Sequence, residues 1–154
     1  MYKRIVVGTD GSAGANMAVD TATELARLTG ATLHIVNAYQ AATAHHLAAA
    51  AQVGIPAGDI VESEQAIRSD AQRVCDQAAV RAVQAGVTAE AHAVPGDAAD
   101  ALLRVAEGSG ADLIVVGNRG MTGVRRFVLG SVPNRLSHHC PSNLLIVDTT
   151  EART

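Results

Sequence analysis

Residues 112–117 read Asp-Leu-Ile-Val-Val-Gly. Four apolar residues stand in a row between an acidic residue and a glycine, with no polar alternation. Such a run is too short for most helices and is apolar on both faces as a strand. Both faces must then be covered, which predicts a strand inside a parallel sheet. Arg4-Ile-Val-Val-Gly8 and Asn143-Leu-Leu-Ile-Val147 have the same form, and Thr32-Leu-His-Ile-Val36 differs by one histidine. A weaker run, Val87-Thr-Ala-Glu-Ala-His-Ala-Val94, alternates polar with apolar residues, as an edge strand does.

The segments between these runs have helical spacing. Ser12 is placed to cap a helix with Ala18, Ala22 and Leu25 on one face and Gly30 at its end. Asp59-Ile-Val-Glu62 has the form of a capping box. Ile67, Ala71, Val74 and Ala78 follow on one face, and Gly86 closes that helix. Gly96-Asp97 opens a third helix carrying Ala101, Leu102, Val105 and Ala106. Ser131-Val-Pro133 opens a fourth, with Ser131 as its cap and the proline tolerated in the first turn. The order β-α-β-α-β-α-β-α-β predicts an α/β fold, a single-domain, doubly wound open sheet of five parallel strands. The domain is expected to span residues 1–148, with a short tail at 149–154. Residues 40–58, alanine-rich with late glycine and proline, are expected to be a mobile loop with room for a short helix.

Composition narrows the function. The chain has 154 residues, enough for one core without disulfide staples. Acidic residues outnumber basic ones 15 to 12, and aromatics are limited to Tyr2, Tyr39 and Phe127. Neither the charge nor the aromatic content suits a nucleic-acid binder. No apolar run approaches the roughly 20 residues that span a bilayer. The start, MYKRIVVGTDGS, has too short an apolar stretch for a secretory signal. Cys75 and Cys140 stand far apart and form no CxxC pair. These features lead us to expect a cytoplasmic protein with no membrane or nucleic-acid partner.

The chemistry concentrates at residues 117–131, Gly-Asn-Arg-Gly-Met-Thr-Gly-Val-Arg-Arg-Phe-Val-Leu-Gly-Ser. Gly117 ends the most apolar strand, and Gly120, Gly123 and Gly130 follow before a helix start. Glycines let backbone amides approach a ligand with no Cβ between. Runs of free amides and a helix N-terminus both favour an anion. Ser131 adds a hydroxyl, and Arg119, Arg125 and Arg126 add positive charge in an acidic chain. The expected ligand group is phosphate. The first βα turn, Gly8-Thr9-Asp10-Gly11-Ser12, places an acid at the carboxyl end of a strand, where it can accept hydrogen bonds from a ribose diol. Asp10 also suits a cap on the first helix beside Ser12, and the two roles are compatible.

Together these segments closely resemble the universal stress protein family over nearly the whole chain. The resemblance rests on Ile5-Val-Val-Gly-Thr-Asp10-Gly-Ser, Leu33-His-Ile-Val36, Ala111-Asp-Leu-Ile-Val-Val-Gly117 and Leu145-Ile-Val147. The ATP-binding members carry G-x2-G-x9-G-[ST], and Gly117, Gly120, Gly130 and Ser131 match it without a gap. The resemblance implies the Rossmann-like sheet order 3-2-1-4-5 of adenine-nucleotide-binding folds, and ATP with Mg2+ or Mn2+ bridging its phosphates. It implies ribose on Asp10 in the Gly8-Thr9-Asp10 turn, and adenine walled by Ile35 and Val116. It places the phosphates on Gly117, Gly120, Gly130, Ser131 and Val132; Arg119 is a candidate beside them through its charge alone. It further implies a homodimer through the last strand, residues 144–148, and a protein partner the sequence does not name.

The chain lacks G-x-x-x-x-G-K-[ST], and its first glycines, Gly8, Gly11 and Gly14, miss the G-x-G-x-x-G spacing. It also lacks the S-G-G-x-D-S loop of nucleotidyl-transfer relatives. The expected activity is regulatory binding with at most slow hydrolysis, not a true enzyme. Two alternatives remain: cyclic AMP as the ligand, since Gly130-Ser-Val-Pro-Asn also resembles cyclic-AMP-binding relatives, or a protein-interaction module with a vestigial site. His138-His139-Cys140 and His45-His46 are not expected to bind metal, because adjacent helical residues point about 100° apart. His34 and His92 are expected on strand surfaces, and Cys75 in the core.

Overall fold

Successive residues of a strand face opposite ways, so an unbroken apolar run feeds two cores at once. In the computed structural model, which describes residues 1–118 and 129–150, β1 (Arg4–Gly8) does this at the centre of the sheet. Ile5 and Val7 enter one core and Val6 the other, all fully buried. The remaining elements are α1 (Ala13–Thr29), β2 (Thr32–Tyr39), α2 (Ala44–Gln52), α3 (Ala57–Gln84), β3 (Ala89–Pro95), α4 (Ala98–Ser109), β4 (Leu113–Gly117), α5 (Ser131–His139) and β5 (Asn143–Val147). The strands pair in the order β3-β2-β1-β4-β5, all parallel. This is the five-stranded, doubly wound α/β fold expected from the alternation of runs.

Each core is a sheet face covered by small helical side chains. On one face Ala18, Val19, Ala22 and Ala26 of α1 and Cys75, Ala78 and Ala82 of α3 meet Ile5, Val7, Leu33, Ile35, Leu113 and Val115. On the other, Ala101, Leu102 and Ala106 of α4 and Leu136 of α5 meet Val6, Val36, Ile114 and Val116. Alanine on the helices lets the helix backbone lie close to the β-branched strand surface. Burial of this kind contributes roughly 25 cal/mol for each Å² of apolar surface removed from water.

Most helix ends follow the expected chemistry. Ser12 Oγ accepts from Ala15 N at 3.2 Å, and Gly30 closes α1 at φ 71°. Asp97 caps α4 and Gly110 ends it at φ 65°. The short helix allowed for in residues 40–58 is present, and two expectations are corrected. Residues 40–58 contain a helix, α2, capped at Thr43 by a reciprocal pair with His46 at N3, where a glutamate or glutamine is the usual partner. Helix α3 starts at Ala57 after Pro56, so Asp59-Ile-Val-Glu62 lies inside the first turns and forms no capping box. The cap of α5 is Gly130, and Ser131 is its first helical residue.

Ile67 departs from the expected buried face and is 47% exposed, because the long α3 makes its buried contacts at Ala71, Cys75, Ala78 and Ala82. Among the described residues no helix is long and apolar enough to cross a membrane. The packing yields a paired expectation. Leu136→Ala, at a fully buried position, lowers unfolding stability by about 2–5 kcal/mol. Ile67→Ala changes it by less than about 0.5 kcal/mol. Urea midpoints measure both, and equal losses would contradict the burial described.

Candidate functional site

Strand order sets where a site can form. From β1 the chain crosses by α1 to β2, while β4 lies on the other side of β1 and leads by α5 to β5. The connections leave β1 and β4 in opposite directions, and a crevice opens outside their carboxyl ends. Val7 pairs with Val115 in this register, so Gly8 stands level with Val116 and Gly117 lies one residue further out, level with Thr9.

The turn after β1 is built from short polar side chains bonding to backbone. Thr9 N donates to Val36 O at 2.9 Å. Thr9 Oγ1 accepts from Gly11 N at 3.2 Å, and Asp10 Oδ1 accepts from Ser12 N at 2.9 Å. Gly11 has φ 80°, and a Cβ there would meet Val74 Cγ1 at 3.3 Å, so this turn requires glycine. A Cβ on Gly8 would stand 3.2 Å from Leu102 Cδ1. Asp10 is exposed at the mouth and anchored through one carboxylate oxygen. It thus serves the start of α1, as the capping reading allowed.

Asn118 organises the other side. Its carbonyl oxygen accepts from Gly130 N at 2.9 Å, which ties the two ends of the 119–129 segment together. Its side-chain Oδ1 accepts from Thr149 N at 3.1 Å and Thr149 Oγ1 at 2.6 Å, and its Nδ2 donates to Asp148 Oδ1 at 2.9 Å. Thr149 is itself buried, close under Gly14 of α1. The N-terminus of α5 is thereby held at the end of β4. Its first turn has amides at Ser131 and Val132 without intrahelical partners, while Pro133 has no N–H. Arg135 reinforces this placement by pairing with Asp97 at 3.1 Å and Asp100 at 2.7 Å on α4. All three side chains are about half exposed, so the pairs contribute about 0–1 kcal/mol each.

Gly8 ends β1, Thr9 and Asp10 follow it, Gly117 ends the neighbouring β4, and Gly130, Ser131 and Val132 are tied to that strand end through Asn118. Arg119 and Gly120 lie outside the described residues, as do Gly123, Arg125 and Arg126. Ile35 is fully buried in the core under α1 and α3, and Val116, 4% exposed, belongs to the core under α4 and α5. At the carboxyl rim of β2 stand Val36, which pairs with Gly8, and then Asn37. Asn118, Asn37 and Thr149 were not singled out from the sequence. An asparagine directly after a strand-ending glycine was the available signal. His34, expected on a strand surface, is buried beside His92. Cys75 is buried, its thiol pushed up to about 11 by burial, so it is a protonated core residue as expected.

The profile of the Universal stress protein family matches residues 1–148. Universal stress protein Rv1636 of Mycobacterium tuberculosis is 35% identical over 153 residues, covering 97% of this chain and 98% of that one. Universal stress protein YxiE of Bacillus subtilis is 31% identical over 147 residues, covering 96% and 99%. A crystal structure of a universal stress protein in complex with cAMP superimposes with TM-score 0.72 at 34% identity, covering 97% and 99%.

Asn118→Ala removes the shared acceptor of Thr149 N and Oγ1 and leaves both in a buried setting. The expected loss is about 1–3 kcal/mol, read as a lower urea midpoint with faster hydrogen exchange at the Thr149 amide. An unchanged midpoint would show that Asn118 does not hold Thr149 to the end of β4.

Proposed function

The chain belongs to the universal stress protein family, and on that premise we propose that it is a regulatory protein binding ATP in the crevice between β1 and β4. The observation that carries this reading is the hydrogen bond from Gly130 N to Asn118 O. It brings a helix N-terminus to a strand end beside an exposed carboxylate. The Ser131 and Val132 amides suit phosphate oxygens, and the positive end of α5 favours their charge. Asp10 keeps acceptor capacity for the ribose hydroxyls, since a carboxylate has about four lone-pair sites. Gly117, Gly120 and Arg119 complete the phosphate side in this reading. Gly8 and Thr9 set the floor, and the rim at Val36 and Asn37 is closer to an adenine than the Ile35 side chain.

The site residues fit a polyphosphate in the character of their donors, which are amides and a hydroxyl with a single carboxylate opposite. Mg2+ or Mn2+ would neutralise phosphate charge when bound, held chiefly by phosphate oxygens and water. Binding without efficient turnover follows if no side chain activates water, and we propose at most slow hydrolysis. A second copy is proposed to pair along β5, which among the described residues is the edge strand of the sheet. Light scattering of the wild type and of Ile146→Lys checks this, with the variant expected to run as a monomer.

Cyclic AMP is the second reading, favoured by the 34%-identical structure solved in complex with cAMP. It needs the same Asp10 and α5 contacts but a single phosphate. Mass spectrometry on nucleotide released from freshly purified protein, followed by competition titrations, separates the two. Asp10→Ala and Gly117→Val are each expected to weaken ATP binding at least about tenfold, because a hydrogen bond to a charged group contributes roughly 1.5–3 kcal/mol. Circular dichroism should stay unchanged. Full affinity in both variants would move the site elsewhere, and a protein that binds neither nucleotide would leave the interaction-module reading.

A further inference from the structure

Helix α4 covers β1 and β2 on its side of the sheet, while β3 is the edge strand beyond β2. On that side β2 and β3 place His34 opposite Glu90 and Val36 opposite His92. Residues two apart on a strand share a face, so His34, Glu90 and His92 converge. Their facing atoms form a small triangle. His34 Nδ1 lies 3.1 Å from His92 Nε2 and 3.4 Å from Glu90 Oε2, and His92 Nε2 lies 3.8 Å from Glu90 Oε2. The rings are tilted by 34° with centroids 5.4 Å apart, so their nitrogen edges meet and their faces do not stack.

A tetrahedral zinc ion with bonds of about 2.0–2.2 Å separates its donors by roughly 3.3–3.5 Å. The observed triangle brackets that value. We propose that His34 Nδ1, His92 Nε2 and Glu90 Oε2 bind one divalent transition-metal ion of the zinc type, with water completing the tetrahedron. Two imidazoles and a carboxylate suit zinc and exclude Mg2+ as the preferred ion. The site is separate from the nucleotide crevice, because it lies on the β2–β3 pair and not at the ends of β1 and β4.

The surroundings favour a bound ion. Side-chain exposure rises from 9% at His34 to 31% at His92 and 57% at Glu90, so an ion enters from the Glu90 side and rests on a buried ligand. Burial holds His34 below the ordinary imidazole pKa; Glu90 pulls the other way, and the charges of His92 and Arg4 lower it further. Arg4 opposes a cation, and the Glu90 carboxylate offsets it. A plain hydrogen bond between the two rings needs a proton on one of the facing nitrogens. Metal binding instead requires both facing nitrogens to be bare. The ion would clamp the edge strand to its neighbour.

The test uses the whole chain. Zinc competition against a chromophoric chelator should give one Zn2+ per chain, unaffected by millimolar Mg2+. Co2+ should show the intense visible bands of tetrahedral coordination. Nitrogen NMR should report both histidines switching to the tautomer that leaves His34 Nδ1 and His92 Nε2 bare. His92→Gln and Glu90→Gln, both at accessible positions, should each weaken zinc by more than about tenfold with unchanged circular dichroism. His138→Ala/His139→Ala should bind as the wild type does. Absence of stoichiometric zinc, or zinc affinity undiminished in the His92→Gln/Glu90→Gln double variant, would overturn the proposal.

Discussion

Burial of β1 and β4 on both faces is the constraint from which the rest follows. Ile5 and Val7 face one way and Val6 the other, and Leu113 to Val116 repeat the pattern next door. Water must be excluded from both sides, so helices must cover both sides. With right-handed crossovers the chain meets this by placing α1 and α3 on one face and then changing sides for α4 and α5. The change of side leaves β1 and β4 adjacent with their connections departing in opposite directions. The crevice is thus a by-product of hydrophobic burial.

Its rim is held by a different kind of interaction. Thr9, Asp10, Ser12, Asn118 and Thr149 bond mostly to backbone groups of turns and helix starts. Each net contribution is about 1 kcal/mol, small beside the core. Their effect is positional: they satisfy the turn amides with short side chains, while the Gly130 N to Asn118 O bond holds the start of α5 at the end of β4. The same economy accounts for glycine at position 11, where φ 80° and the nearness of Val74 leave no room for a side chain.

The β2–β3 margin shows what happens where helical cover thins. Under α4 the strand residues are apolar, as at Val6, Val36 and Ile114. One strand further out, the same face carries Glu90 and His92, with His34 at the boundary. An edge strand with polar groups resists edge-to-edge pairing. Here those groups converge on one point.

Local rules determined much of this protein from sequence alone. Unbroken apolar runs declare strands buried on two faces, and Ser12 with Gly30 and Asp97 with Gly110 bound two helices. Each depends on neighbours within a few residues or on a fixed period. Other features were decided only by the tertiary structure. The start of helix α2 was not legible because His46 fills a capping role normally given to glutamate or glutamine. Ile67 kept helical phase with buried residues yet lies exposed, since phase does not say where along α3 the cover lies. Ile35 and Val116 fall in separate cores because strand parity assigns them to opposite faces. Asn118 meets Thr149 across 31 residues and His34 meets His92 across 58. Such pairs are set by strand register and order, which arise from the collective burial of the sheet and not from any local stretch of chain.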